Sequence, residues 1–207
     1  SSDLMAHAEE EVEDMISIAG ALVVNIGTLS PPWVSGMKLA MKRAAELNRP
    51  IILDPVGAGA TPYRNTVLAE LLQIAAPTIF RGHASQIRAL AGLSGKTKGV
   101  DSTASSIDGL EAAHILSDRF GSVVSVSGAS DVIVQGNRVA YADNGVPLMT
   151  RVTGMGCTAT AIAGAYAANS VDYFLSAVSA AVTMGVCGEN AFNRAQLPGS
   201  FQISFLD

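Results

Sequence analysis

The stretch "RVTGMGCTATAIAGAYAA", residues 151–168, sets Gly154, Gly156 and Cys157 directly against a long run of small, helix-compatible residues. At a helix start several backbone N–H groups have no intrahelical partner, and the helix dipole adds about half a positive charge there. Glycines let an anion approach those amides closely. The spacing suits a phosphate, with the Cys157 thiol in the first turn beside it. Two other readings stay open: a tight loop whose small residues serve helix packing, and a cysteine acting as a small hydrophobe. "GMGCTA" also fits the loose GxGxx[GA] dinucleotide pattern, but it falls late in the chain without a clear first βαβ unit around it, which makes that signal weak.

A second candidate is Asp54 in "LDPVGAGAT" (53–61), which ends a short apolar run. A lone carboxylate there is costly unless it is paired or faces a polar pocket. It could also cap the loop that follows. Gly57 and Gly59 allow close approach of backbone to a ligand, or make a turn. Two further stretches, "FRGHASQI" (80–87) and "VSGASD" (126–131), place polar residues after apolar runs in the same way, as does "NIGTLS" (25–30). Cys187 lies in an apolar helical context and reads as structural. His7 precedes a run of acids without a metal-ligand spacing, and His114 on an amphipathic helix also reads as structural. His83 differs, because it opens a helix right after a strand end.

These residues need elements to hold them. "GALVVNIG" (20–27), "PIILDP" (50–55) and "PTIFRG" (77–82) read as short buried strands. Residues 34–48, 64–75, 84–92 and 105–121 have apolar positions at helical spacing, with Gly92 and Gly121 as stops. Residues 122–128, 131–136 and 138–143 read as strands joined by glycine turns. Residues 156–169 and 172–196 read as helices, and 199–207 fits either a helix start or a strand. Alternation of this kind predicts a mostly parallel sheet with crossover helices, plus an antiparallel edge hairpin. In such a sheet ligands collect outside the carboxyl ends of the strands, where all four polar stretches fall.

The chain has 207 residues and reads as one domain, with 49% hydrophobic and 15% charged residues. A net charge of −5 argues against a general nucleic-acid or anionic-membrane binder. Two cysteines form no disulfide framework, and no stretch reads as a membrane span or a signal peptide, so the cytoplasm is the expected compartment.

Taken in order, "MAHAEEEVEDM", "ALVVNIGTLS", "LDPVGAGATPYR", "RGHASQIRALAG", "KGVDST", "PLMTRVTGMGCTATA" and "PGSFQISFLD" closely resemble the hydroxyethylthiazole kinases. That family belongs to the ribokinase-like enzymes and serves thiazole salvage in thiamine biosynthesis. The resemblance implies a three-layer α/β/α fold over residues 1–207. It also implies transfer of the ATP γ-phosphate to the primary alcohol of 4-methyl-5-(2-hydroxyethyl)thiazole, with Mg²⁺, in a homotrimer whose sites lie at subunit interfaces. By position, Met5 and Gly154 would contact the thiazole, and Arg81 and Ser127 would contact ATP. Gly154 and Gly156 would form the anion hole, and Cys157 stands where other ribokinase-like enzymes carry a catalytic aspartate. Asp54 and, through water, Gln86 would serve the Mg²⁺–phosphate shell.

Two departures accompany the resemblance. Family members usually begin with an additional strand and helix, and the chain is expected to lack these and the end of the last helix. Where the family has Asn-x-x-Glu, this sequence has His83 and Gln86, a neutral amide for a carboxylate. That exchange motivates an alternative reading, a weakly active or non-catalytic relative that binds thiazole or nucleotide.

Overall fold

The computed structural model describes residues 8–93 and 109–207. Six strands form one sheet in the order β1 (Leu22–Asn25), β2 (Ile51–Asp54), β3 (Ile79–His83), β4 (Val123–Ser127), β5 (Asp131–Gln135) and β6 (Arg138–Ala142). β1 to β4 pair in parallel, whereas β4–β5 and β5–β6 are antiparallel. The parallel sheet with an edge hairpin is the expected architecture. Strand order follows chain order because each crossover helix returns the chain to the next position on the same edge.

Side chains of the strands alternate between two apolar layers, as a period of two requires. Ile51, Leu53, Val124, Val126, Val132 and Val134 face the helices on one side. These helices are α1 (Val12–Ile18), α2 (Pro31–Glu46), α3 (Pro62–Ile74), α4 (Ala84–Ala91) and α5 (Leu110–Phe120). Ile52, Ile79, Val123 and Ile133 face the other side, against α6 (Met155–Ala167) and α7 (Tyr173–Arg194). Residues covered on both faces explain why the strands read as continuous apolar runs rather than alternating ones.

Several element boundaries differ from the sequence reading. α2 and α3 begin earlier, at prolines, whose fixed φ and missing N–H suit a first helical turn. Thr61 caps α3 by accepting the Arg64 N–H at 3.2 Å. The ambiguous tail is α8 (Pro198–Leu206), with Phe201 and Phe205 buried against Met184 and Ala191 of α7. Among the described residues no helix is long and apolar enough to cross a membrane.

Candidate active site

The parallel register puts Asn25 beside Asp54 and His83 beside Ser127 at the carboxyl ends of their strands. α6 starts over this edge. Gly154 precedes its first turn with φ +93°, a conformation that favours glycine, and a Cβ there would meet nothing within 4 Å. The segment leading into α6 is pinned to α7: Asn144 Nδ2 donates to Val182 O at 2.8 Å, and Gly145 N–H donates to Glu189 Oε1 at 2.9 Å.

A polar network ties the sheet edge to α6. Asn25 Nδ2 donates to Asp54 Oδ2 at 3.0 Å and reaches Cys157 Sγ at 3.4 Å. Thr160 Oγ1, one turn beyond Cys157, donates to the same Asp54 oxygen at 2.8 Å. Arg81 Nη1 donates to Gly156 O at 3.0 Å, joining β3 to the first turn of the helix. Cys157 itself is exposed. Asp54 is only 3% exposed, and burial pushes its carboxyl above the ordinary value, against the opposing pull of Arg81 and the bonds from Thr160 and Asn25.

Beside this network lie His83, Ser127 and Asp131. Ser127 Oγ donates to Gly82 O at 3.3 Å and lies 3.2 Å from His83 Nδ1. Burial, and then the charge of Arg81, push the His83 imidazole below its ordinary value, which favours a neutral ring. Asp131 accepts the Gly128 N–H at 2.9 Å, and burial raises its carboxyl. Gln86 is buried, and its Oε1 accepts the His83 N–H at 2.9 Å as part of a capping box that opens α4. Its carbonyl thus closes a helix start.

The structure gathers Asp54, Arg81, His83, Ser127, Gly154, Gly156 and Cys157 at one edge, whereas Met5 and His7 lie outside the described residues. "KGVDST" and residues 105–108 also lie outside them. Cys187 packs with Met184 and Val152 in an apolar cluster, as its context suggested. Among the described residues no three His, Cys, Asp or Glu side chains form a metal-binding group. Sequence reasoning missed Asn25, Thr160 and Asp131 as individual residues. Asn25 is the first polar residue after "ALVV", which was a usable signal. Thr160 had none, since a threonine inside a small-residue helix reads as packing.

The arrangement sets helix-start amides, a guanidinium and a thiol side by side at the sheet edge, which is equipment for moving a phosphoryl group. A family model described as the hydroxyethylthiazole kinase family matches residues 1–207. The chain is 51% identical over 207 residues to a hydroxyethylthiazole kinase of Leptospira biflexa, covering all of this chain and 78% of that protein. A Syntrophus aciditrophicus protein of the same name is 50% identical over 208 residues, with 100% and 77% covered. The solved hydroxyethylthiazole kinase of Pyrococcus horikoshii superposes with a TM-score of 0.88 at 38% identity, covering 99% of this chain and 76% of that one. A Staphylococcus aureus pyridoxal kinase, at TM-score 0.64 and 20% identity over 88% of this chain and 67% of its own, shares the fold. The chain belongs to the hydroxyethylthiazole kinase family.

Proposed function

We propose that this protein transfers the ATP γ-phosphate to the primary alcohol of 4-methyl-5-(2-hydroxyethyl)thiazole, a step of thiamine biosynthesis. The observation that carries the reading is the join of α6 to the sheet edge, where Arg81 holds the Gly156 carbonyl in the turn that carries Gly154 and Cys157. Phosphoryl transfer needs alignment and charge stabilisation more than covalent help. The amides at the start of α6 stabilise the charge that develops on the transferring group. Arg81 and Ser127 contact ATP in this reading, and Arg81 also holds the Gly156 carbonyl away from the phosphate. Gly154 and Met5 contact the thiazole in the same reading. Cys157 orients the substrate hydroxyl and accepts its proton. Only the thiolate form can take that proton, leaving the thiol, so orientation is a large part of its role.

Mg²⁺ fits this site in part. When bound, the ion would neutralise the phosphates and align them. Asp54 is the hard carboxylate near Arg81 that would hold it, and Gln86, whose Oε1 accepts the His83 N–H, would serve it only through water.

We further propose one kinase domain over residues 1–207, a cytoplasmic setting and a homotrimer. Exposed apolar side chains support self-association: Leu175, Val182 and Val186 on α7, and Ile203 and Leu206 on α8. Static light scattering is expected to give three times the chain mass, and a monomer would refute the trimer.

The substrate assignment is tested by ADP release with a panel of alcohols. The thiazole alcohol is expected to support turnover that depends on added Mg²⁺, with hydroxymethylpyrimidine at background. Preference for the pyrimidine would overturn the assignment, and binding of thiazole or ATP without turnover would favour the non-catalytic alternative raised by His83 and Gln86.

A further inference from the structure

We infer that Arg64 is a positioning residue for the Cys157 thiol, acting through the Asn25 carboxamide; the inference rests on the phosphoryl-transfer reading of Cys157.

The backbone ladder between β1 and β2 ends where the Ile26 N–H donates to Asp54 O at 3.3 Å. Beyond that bond the two chains part into the loops that rim the site. Arg64, in the first turn of α3, ties them back together. Its Nη1 donates to Ile26 O and, at 2.9 Å, to Val56 O, and its Nη2 donates to Gly27 O at 3.0 Å. One planar guanidinium thus spans three carbonyls on two loops, a geometry that a lysine ammonium does not reproduce. The route is built for this side chain: Gly57 has φ +73°, and a Cβ there would lie 3.1 Å from Arg64 Cδ.

The loop carbonyls lead directly to the thiol. The Ile26–Gly27 peptide, held by Arg64 Nη1 through the Ile26 carbonyl, donates its N–H to Asn25 Oδ1 at 2.8 Å. A carboxamide is nearly symmetric in shape, so the partner of its oxygen decides where its N–H points. With Oδ1 fixed on Gly27, Nδ2 is aimed at Asp54 Oδ2 and Cys157 Sγ. Release of the loop frees the amide to turn, and the thiol loses the donor that orients it. Arg64 contacts neither Arg81 nor Ser127 in this chain of bonds, so ATP binding is expected to be untouched.

The test is a double-mutant cycle with Asn25→Ala and Arg64→Met, read by kcat, by KM for ATP, and by the rate at which iodoacetamide alkylates Cys157 in a Cys187→Ala background. Arg64→Met is expected to lower kcat about tenfold, a misplacement effect, with KM for ATP within about twofold of wild type. Asn25→Ala is expected to lose at least as much, and the double variant no more than Asn25→Ala alone. Alkylation is expected to change about threefold or more in each single variant, since the Asn25 N–H holds the sulfur that reacts, and to change no further in the double. Effects that multiply, in kcat or in alkylation, would show that Arg64 does not act through Asn25. If Arg64→Met fails to fold, Arg64→Lys enters the same cycle, retaining charge but losing the fork. Alkylation needs no turnover, so a wild-type protein without kinase activity overturns the phosphoryl-transfer reading while the cycle still decides the Arg64 link.

Discussion

Replacing Cys157 with alanine is expected to lower kcat by ~10²–10⁴-fold, the range typical of a positioned proton acceptor, while the dissociation constant for ATP stays near wild type. The expectation follows from where the bonds lie. Cys157 is exposed in the first turn of α6, and Asn25 Nδ2 reaches its sulfur at 3.4 Å. The residues assigned to ATP, Arg81 and Ser127, are held by other partners, Gly156 O and Gly82 O. Loss of the thiol therefore leaves their positions intact and removes only what touches the hydroxyl. Cys187→Ala is the matched control, because Cys187 packs in the apolar cluster with Met184 and Val152. It is expected to leave kcat within about twofold. Stopped-flow turnover and calorimetric ATP titration on both variants check this. Normal turnover of Cys157→Ala would refute the proton-accepting and orienting roles together.

The elements of the fold were legible because each one agrees with its own sequence. β2 and β4 are buried throughout and apolar apart from Asp54, Ser125 and Ser127, and Gly92 and Gly121 stop their helices in the left-handed conformation that glycine tolerates. The tail resisted because "GSFQISFLD" offers two phenylalanines four apart together with strand-like alternation. Tertiary burial of Phe201 and Phe205 settles it as a helix. The site was readable in outline: strand-end position singled out Asp54 and His83, a helix start singled out the glycines of α6, and the family resemblance added Arg81 and Ser127. Partners were not legible. Nothing in "GCTATA" says that Thr160 reaches back to Asp54 on another element, and nothing in "ATPYR" says that Arg64 grips two loops. Gln86 shows the limit most clearly. It stands in a family motif that points to metal, and its three-residue offset from His83 also fits the capping box in which Oε1 accepts the His83 N–H.

Asp54→Asn is expected to cost on the order of 10²-fold in kcat, the scale of a misplaced reacting group, without a matching loss of stability at neutral pH. One oxygen of Asp54 accepts from both Asn25 Nδ2 and Thr160 Oγ1, so it fixes the amide beside the thiol and the second turn of α6 together. An asparagine cannot present an acceptor and a negative charge there, and one of its orientations sets an NH₂ against the Asn25 amide. The stability effect runs the other way. Burial raises the Asp54 carboxyl above the ordinary value of 3.8 in the folded state. Below 3.8 both states are protonated and this contribution to stability is complete. As pH climbs through the elevated folded value, the unfolded chain gives up its proton first and stability falls. Asparagine has no such ionisation. The difference in Tm, variant minus wild type, is therefore expected to rise between acid and neutral pH by about 2–4 °C per kcal/mol of relieved penalty, since the other carboxylates titrate alike in both proteins and cancel. Thermal melts of the two proteins across that range, with kcat measured at the neutral end, provide the check. A flat Tm difference would mean that Asp54 is not the buried group whose ionisation strains the fold, and full activity in the variant would remove it from the network that holds Cys157.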